Sequence, residues 1–153
     1  MKKEHLHCDF VSGKKTGNEK QNKSRLYKHK GNFRWEGIKP EQYKPSGKDW
    51  YDIVRQTLTG NKGETTKFHV RYFEIAPGGN SSFEMHKHEH VVIGIRGRGI
   101  CIVGKKKLHM KFLDTLYIET NKPHQLKNPY DEAFGFLCVV NAKRDKPKML
   151  SEK

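Results

Sequence analysis

The sequence predicts an all-β domain, either a sandwich or a barrel, and three observations support this fold class. Short runs rich in β-branched and aromatic residues recur at regular spacing, separated by clusters of Gly, Pro and Asn. No stretch shows a convincing apolar period of 3.6 residues, which an amphipathic helix would require. The chain of 153 residues is long enough for one domain with a core and an arm, and too short for two ordinary domains.

The predicted strands run from the middle of the chain towards its end. The first is a short strand over Trp50–Leu58, inside an irregular aromatic segment that Pro40 and Pro45 interrupt. Turn signals then separate the later runs: PGG after the second, GRG after the third, GKKK after the fourth and NKPH after the sixth. The remaining six predicted strands are Thr65–Ala76, Met85–Arg96, Ile100–Val103, Leu108–Phe112, Asp114–Glu119 and Gly135–Asn141.

Composition divides the chain into four parts. Residues 1–30 are polar, rich in lysine and punctuated by glycine, which predicts a flexible basic tail. Residues 31–64 are expected to form an arm with one short strand that packs on the domain or is exchanged in a homodimer. Residues 65–145 are predicted to form the barrel, and residues 146–153 a C-terminal tail.

Charge and hydropathy argue against two classes of partner. The net charge is +14, but the lysines are scattered among Gly, Asn and Ser, and no recognised nucleic-acid motif accompanies them, so nucleic-acid binding is not expected as the main function. No run approaches the roughly 18 apolar residues that span a bilayer. The basic N-terminus is followed by no apolar segment of the kind found in secretory signals. We therefore expect a cytoplasmic protein without a membrane partner.

Cysteine spacing argues against a disulfide framework and against a thiolate zinc site. The three cysteines form no CxxC pair. Cys101 and Cys138 lie in apolar runs, which predicts that both are small buried residues.

Alternating histidines in the segment MHKHEHVV are the main indication of chemistry. On a strand, His86, His88 and His90 would point to the same face. Same-face Cβ atoms are roughly 7 Å apart, so the outer two would be about 13 Å apart on a straight strand, too far for one ion with bonds of about 2 Å. All three can bind one ion if the segment bends; otherwise two bind and the third lies at the rim.

A fourth histidine can complete the cluster from a neighbouring strand. His124 follows a proline turn and opens a run that favours a strand. Three or four imidazoles suit zinc, iron, nickel, copper or manganese. The alternatives are a solvated strand that binds no metal and a pH-sensitive patch.

Two stretches resemble the two sequence motifs of the cupin superfamily. In PGGNSSFEMHKHEHVVIGIRGRG, the first motif is matched by Gly79, by the pair His86 and His88, and by Gly97, while His90 stands where a glutamate is usual and the spacer before it is shortened. The resemblance covers about residues 68–142.

The second motif is similar to DTLYIETNKPHQLKN, where His124 and Asn128 match. The resemblance implies a small jelly-roll β-barrel of the RmlC-like type, often dimeric, with one metal ion inside. It implies His86, His88 and His124 as metal ligands, and His90 as a fourth ligand in place of the usual acid.

The function that the resemblance implies is broad, because one fold hosts many chemistries. We expect a small-molecule enzyme of the isomerase, cyclase, lyase or dioxygenase type, with one divalent zinc, iron, nickel or manganese ion acting as a Lewis acid. The alternative is a non-catalytic module that binds a metal or a small ligand. No catalytic residue is assigned.

Residues near the motifs have weaker indications. Glu84 and Glu119 could be acid–base groups, but solvated charges are the expected outcome. Asn128 and Asp114 are expected to stabilise turns. Candidates for lining the pocket are Arg71, Tyr72 and Gln125.

Overall fold

The computed structural model describes residues 23–44 and 47–151, and across these residues the chain forms eleven β-strands and no helix. None of the described residues forms a helix long and apolar enough to cross a membrane. The strands are β1 (Glu41–Gln42), β2 (Tyr51–Thr59), β3 (Phe68–Asn80), β4 (Glu84–Met85), β5 (His90–Arg96), β6 (Gly99–Val103), β7 (Lys106–Met110), β8 (Thr115–Ile118), β9 (His124–Lys127), β10 (Phe134–Asn141) and β11 (Lys148–Met149).

The strands pair antiparallel and build two layers. The larger layer has the order β1-β2-β3-β10-β5-β8, and the smaller has the order β11-β4-β9-β6-β7. Strand β3 joins the two, because its first half pairs with β10 and its last residue, Asn80, pairs with Lys127 of β9. The predicted all-β jelly-roll barrel is confirmed.

Alternating side chains place the core between the layers. On β3, Phe73 and Ile75 point inward and are buried, and on β10 the same holds for Phe136 and Cys138. The rings of Phe73 and Phe136 stack with their centroids 5.5 Å apart. A fully buried aliphatic or aromatic side chain contributes about 1.5–3 kcal/mol, so this pleated alternation stabilises the barrel and fixes its register.

The predicted strand over Met85–Arg96 is wrong in one respect, because the structure divides it into β4 and β5. The four residues between them leave the sheet, and their backbone groups bond elsewhere. The carboxylate of Asp145 accepts hydrogen bonds from the amides of Lys87 and His88 at 2.8 and 3.2 Å. The His86 carbonyl accepts a hydrogen bond from the amide of Asn121 at 2.7 Å. The alternating pattern of HKHEH is typical of a straight strand, but in the structure these residues form a bend between β4 and β5.

The N-terminal segment covers the outer face of the larger layer. Phe33 stacks on the buried ring of Tyr72 with the centroids 5.7 Å apart, and Trp35 lies 5.2 Å from the same ring. The backbone carbonyl of Phe33 accepts a hydrogen bond from Nε2 of Gln56 on β2. In this structure β2 pairs with β3 of its own chain. The exchanged arm stays a prediction.

The structure describes the two predicted tails to different extents. Most of the predicted flexible tail, residues 1–30, lies outside the described residues. The segment assigned to the C-terminal tail contains β11, which pairs with β4.

Candidate metal centre

A cavity of about 240 Å³ lies between the two layers. Its floor is the apolar core, and its mouth carries charged side chains. Residues 142–147 connect β10 to β11, and three of them line this cavity. The residues that line the cavity and carry polar or charged groups are Tyr43, Lys44, Arg55, Arg71, Ser81, Glu84, His88, His90, His124, Cys138, Arg144 and Asp145.

Three histidines converge on one point beside this cavity. His86 follows β4, His90 begins β5 and His124 begins β9, so both layers contribute. Their ligand atoms lie within 4.8 Å of one another, and Nε2 of His86 and Nε2 of His90 are 2.7 Å apart. Ligands that bind zinc tetrahedrally at about 2.1 Å are separated by roughly 3.4 Å. The spacing therefore allows the three histidines to bind one metal ion.

Hydrogen bonds orient two of the three imidazoles in the way that metal ligation requires. Nδ1 of His86 donates to the carbonyl of His88 at 2.7 Å, and Nδ1 of His124 donates to the carbonyl of Lys122 at 2.8 Å. A carbonyl oxygen can only accept, so the proton is on Nδ1 and the lone pair is on Nε2. Nε2 of His86 and of His124 therefore carry the lone pairs that can bind a cation, and the donor set fits a transition metal.

Burial keeps these imidazoles neutral. It lowers the pKa of His86, and the neighbouring His88 lowers it further. Burial likewise lowers the pKa of His124 and, strongly, that of His90, whose pKa the other histidines and Arg71 lower further. Neutral imidazole is the form that binds metals, so the three histidines would not have to release protons to bind one at neutral pH.

His88 occupies a different position from the other three. Its ring stacks on His86 with the centroids 3.6 Å apart, and its Nδ1 donates to Oδ1 of Asp145 at 2.8 Å. It lines the cavity but lies outside the group of three. The resemblance placed His86, His88 and His124 ahead of His90, whereas the structure brings His90 into the close group. That all four bind the metal stays a prediction.

The neighbours of the cluster differ in part from what the sequence predicts. The expectation that Glu84 is a solvated charge is wrong: its residue is 7% exposed, and its carboxylate pairs with Lys44 at 2.5 Å. Glu119 is exposed, as expected, and pairs with Lys122. Arg71 lines the cavity as proposed.

Two other candidates for the pocket lie elsewhere. Tyr72 is on the outer face of β3, under the N-terminal segment. Gln125 is buried and its amide donates to the carbonyl of Ser81. Asn128 donates to the carbonyls of Ile75 and Glu132, and Asp114 accepts from the amide of Lys111, so both stabilise turns as expected.

Sequence reasoning missed three contacts at the site. Asp145 and Arg144 lie in KRDKP, a charged stretch at the end of the predicted barrel, and no local pattern relates it to the histidines. Cys101 and Cys138 are buried and free, as predicted. Cys138 has a further contact, because its Sγ lies 3.0 Å from Nδ1 of His90. The pairing of β10 with β5 creates this contact, and the sequence alone does not give that register.

A jelly-roll barrel with a histidine cluster inside is typical of the cupins, and comparison with known proteins supports this assignment. Residues 71–140 match the family model of the cupin domain. Together with the relatives described next, this match shows that the chain belongs to the cupin superfamily.

The relatives share much of their length with this chain. A protein of Rhodospirillum rubrum named 1-methylthio-D-xylulose 5-phosphate methylsulfurylase is 40% identical over 121 residues, which cover 78% of this chain and 76% of the relative. A crystal structure of a cupin-2 domain from Rhodospirillum rubrum has 38% identity and a TM-score of 0.72, covering 83% of this chain and 84% of that one. A cupin 2 barrel protein from Rhodopseudomonas palustris has 34% identity and a TM-score of 0.76, covering 83% and 87%.

Proposed function

We propose that this cupin is a metal-dependent enzyme that acts on a small phosphorylated molecule. The observation that carries the proposal is the convergence of His86, His90 and His124 beside a cavity that is large enough for a small ligand. Three imidazole ligands leave coordination positions for a ligand oxygen, and a divalent ion there acts as a Lewis acid.

The proposed ligand set consists of the three close histidines with His88 as the fourth. The hydrogen bond from Nδ1 of His88 to Asp145 leaves the lone pair on Nε2, as in His86 and His124. A site made of imidazole nitrogens alone adds no negative charge to the metal. This donor set favours zinc, iron or nickel over manganese, which prefers oxygen ligands.

The substrate class is inferred from the relative with 40% identity. Its name specifies 1-methylthio-D-xylulose 5-phosphate, a sugar phosphate that carries a methylthio group. We infer a phosphorylated sugar of this kind as the first substrate to test. The cationic residues at the mouth of the cavity are compatible with an anionic ligand.

Metal affinity of single histidine variants tests the ligand set. Because ligand loss should exceed the roughly 10- to 100-fold cost of losing an outer-shell partner, H90A is expected to weaken zinc binding by more than about 100-fold. H88A is expected to weaken it less, since His88 lies outside the close group. His109 is exposed and remote from the cluster, so H109A is the matched control. Equal zinc affinity in H90A and H109A would exclude the proposed site.

Consumption of 1-methylthio-D-xylulose 5-phosphate by the metal-loaded protein tests the activity. The reaction is followed by phosphorus NMR with and without an added thiol, and a chelator-treated sample is the control. Substrate loss that depends on metal is the expected result. Tight binding of metal and sugar phosphate without turnover would instead favour the non-catalytic binding module. The homodimer and the cytoplasmic location stay predictions.

A further inference from the structure

Arg71 presents a cation to the cavity beside the histidine cluster. It lies on β3 in the same inward-facing series as Phe73 and Ile75. Its guanidinium carbon lies 5.0 Å from the centroid of the Phe73 ring, and Nη2 lies 3.5 Å from Sγ of Cys138. Its Nε is buried and has no hydrogen-bond partner among the described residues. A buried N–H without an acceptor is costly unless a ligand supplies one.

Arg144 approaches the same cavity from its mouth. It lies in the segment that connects β10 to β11, and it is exposed to solvent. Burial of part of the side chain lowers the pKa of Arg144, and the nearby charge of Arg71 lowers it further. Both guanidinium groups therefore face the same cavity. Arg71 is half-buried, and Arg144 is accessible to solvent.

The other cations that line the cavity differ because each has an acidic partner. Lys44 pairs with Glu84, and Arg55 pairs with Glu41 at 3.0 Å. Within residues 23–44 and 47–151, neither Arg71 nor Arg144 forms an ion pair with a carboxylate. Two unpaired like charges that face one cavity repel each other, and an anion bound between them removes that cost.

We propose that Arg71 and Arg144 form the subsite that binds the phosphate group of the substrate. This inference rests on the proposed function and assigns the residues that recognise the phosphorylated end. A phosphate monoester carries a charge of about −1.5 to −2 at neutral pH, which matches two guanidinium groups, whereas a carboxylate neutralises one. The planar fork of arginine also suits the bidentate binding of phosphate oxygens.

The position of Arg71 also orients the substrate. One side chain, Cys138, separates Arg71 from His90, because its Sγ contacts both. A phosphate on Arg71 and Arg144 therefore leaves the other end of a short molecule beside the histidine cluster. The subsite selects for a small ligand with its anionic group a few bonds from the group that reaches the metal.

Binding of inorganic phosphate to the chelator-treated full-length protein tests the subsite without interference from a metal. We expect R71Q to weaken phosphate binding by about tenfold or more, which corresponds to the loss of one charge-assisted hydrogen bond. R144Q should weaken it by about two- to fivefold, because that side chain is screened by solvent. Acetate should bind at least about tenfold more weakly than phosphate.

Arg98 supplies the matched control, since it is exposed, stacks over Tyr130 and does not line the cavity. R98Q should bind phosphate as the unmodified chain does. If R71Q does not fold, R144Q still decides the question, because Arg144 is exposed. Unchanged phosphate affinity in the arginine variants, no phosphate binding at all, or equal affinity for acetate would overturn the subsite. A chain that binds phosphate through these arginines but holds no metal would overturn the proposed enzyme and keep the subsite.

Discussion

Asp145 links the C-terminal segment to the histidine bend through a single carboxylate. It accepts from the amides of Lys87 and His88 and from Nδ1 of His88. These hydrogen bonds hold the pKa of Asp145 well below its usual range, so the group is an acceptor at neutral pH. It therefore has two roles: it shapes the bend and it fixes the tautomer of one histidine.

We expect D145N to weaken zinc binding by about tenfold, while the barrel stays folded. An amide has one acceptor oxygen and an NH₂ group, and the NH₂ would face donors that the carboxylate now accepts from. Zinc affinity is measured by competition with a chelating dye, and circular dichroism reports the fold. D131N is the control, since Asp131 is exposed and does not line the cavity. If D145N and D131N bind zinc equally, Asp145 does not position the site.

At the scale of secondary-structure elements, Gly97 allows the corner between β5 and β6. Its φ is +55°, and a Cβ there would lie 2.3 Å from the carbonyl oxygen of Ala133. The chain leaves the larger layer at this residue and enters the smaller one, passing close to the start of β10. Steric crowding by Ala133 therefore explains why a glycine is needed at this position of the first cupin motif in this chain.

We expect G97A to lower the free energy of unfolding by about 3 kcal/mol, because left-handed backbone strain and the displacement of a carbonyl add together. Gly78 is the matched control: its φ is +79°, but a Cβ there has nothing within 4 Å. G78A should therefore cost about 1 kcal/mol, from the backbone strain alone. Chemical denaturation measures both values. Equal losses would show that the contact with Ala133 does not matter.

How far the sequence predicts these elements depends on the length of their pattern. Longer strands such as β6 and β10 show apolar runs with turn signals, and the predicted strands overlap them, whereas none of the seven predicted strands overlaps the four-residue strand β9. Strands β1, β4 and β11 have only two residues each, and a strand that short shows no periodicity in the sequence. Their pairing depends on tertiary contacts. The bend after Met85 was predicted only as the condition for three histidines to bind one ion, and the alternation of the residues favoured a straight strand.

At the scale of the whole molecule, the sequence predicts the part of the candidate site that lies in the two motifs. Motif spacing predicted His86, His88 and His124 as ligands and His90 as a fourth, but only the structure shows that His90 lies in the close group and His88 outside it. Arg144 and Asp145 reach the site because β10 pairs with β5 and the following segment returns to pair β11 with β4. These are contacts across long separations in sequence. Hydrophobic pattern fixes which face of a strand is buried, but not which strands become neighbours.

The histidine cluster joins the two layers of the barrel, and this predicts a strong effect of metal on global stability. His90 belongs to β5 in the larger layer and His124 to β9 in the smaller, so an ion bound to both crosslinks them. A ligand that binds the native state alone, at 100 times its Kd, stabilises it by about 2.7 kcal/mol. For a domain of this size the expected rise in Tm is about 5–10 °C.

Thermal unfolding with zinc and with a chelator measures this difference. H90A provides the control because it lacks one of the two histidines that would link the layers, and circular dichroism checks that it folds. Zinc should raise the Tm of the unmodified chain and leave that of H90A nearly unchanged. The gain should also grow with the free zinc concentration, since linkage makes Tm depend on ligand activity. An equal gain in both proteins would mean that zinc binds elsewhere. No gain in either would mean that the cluster does not connect the layers through a metal.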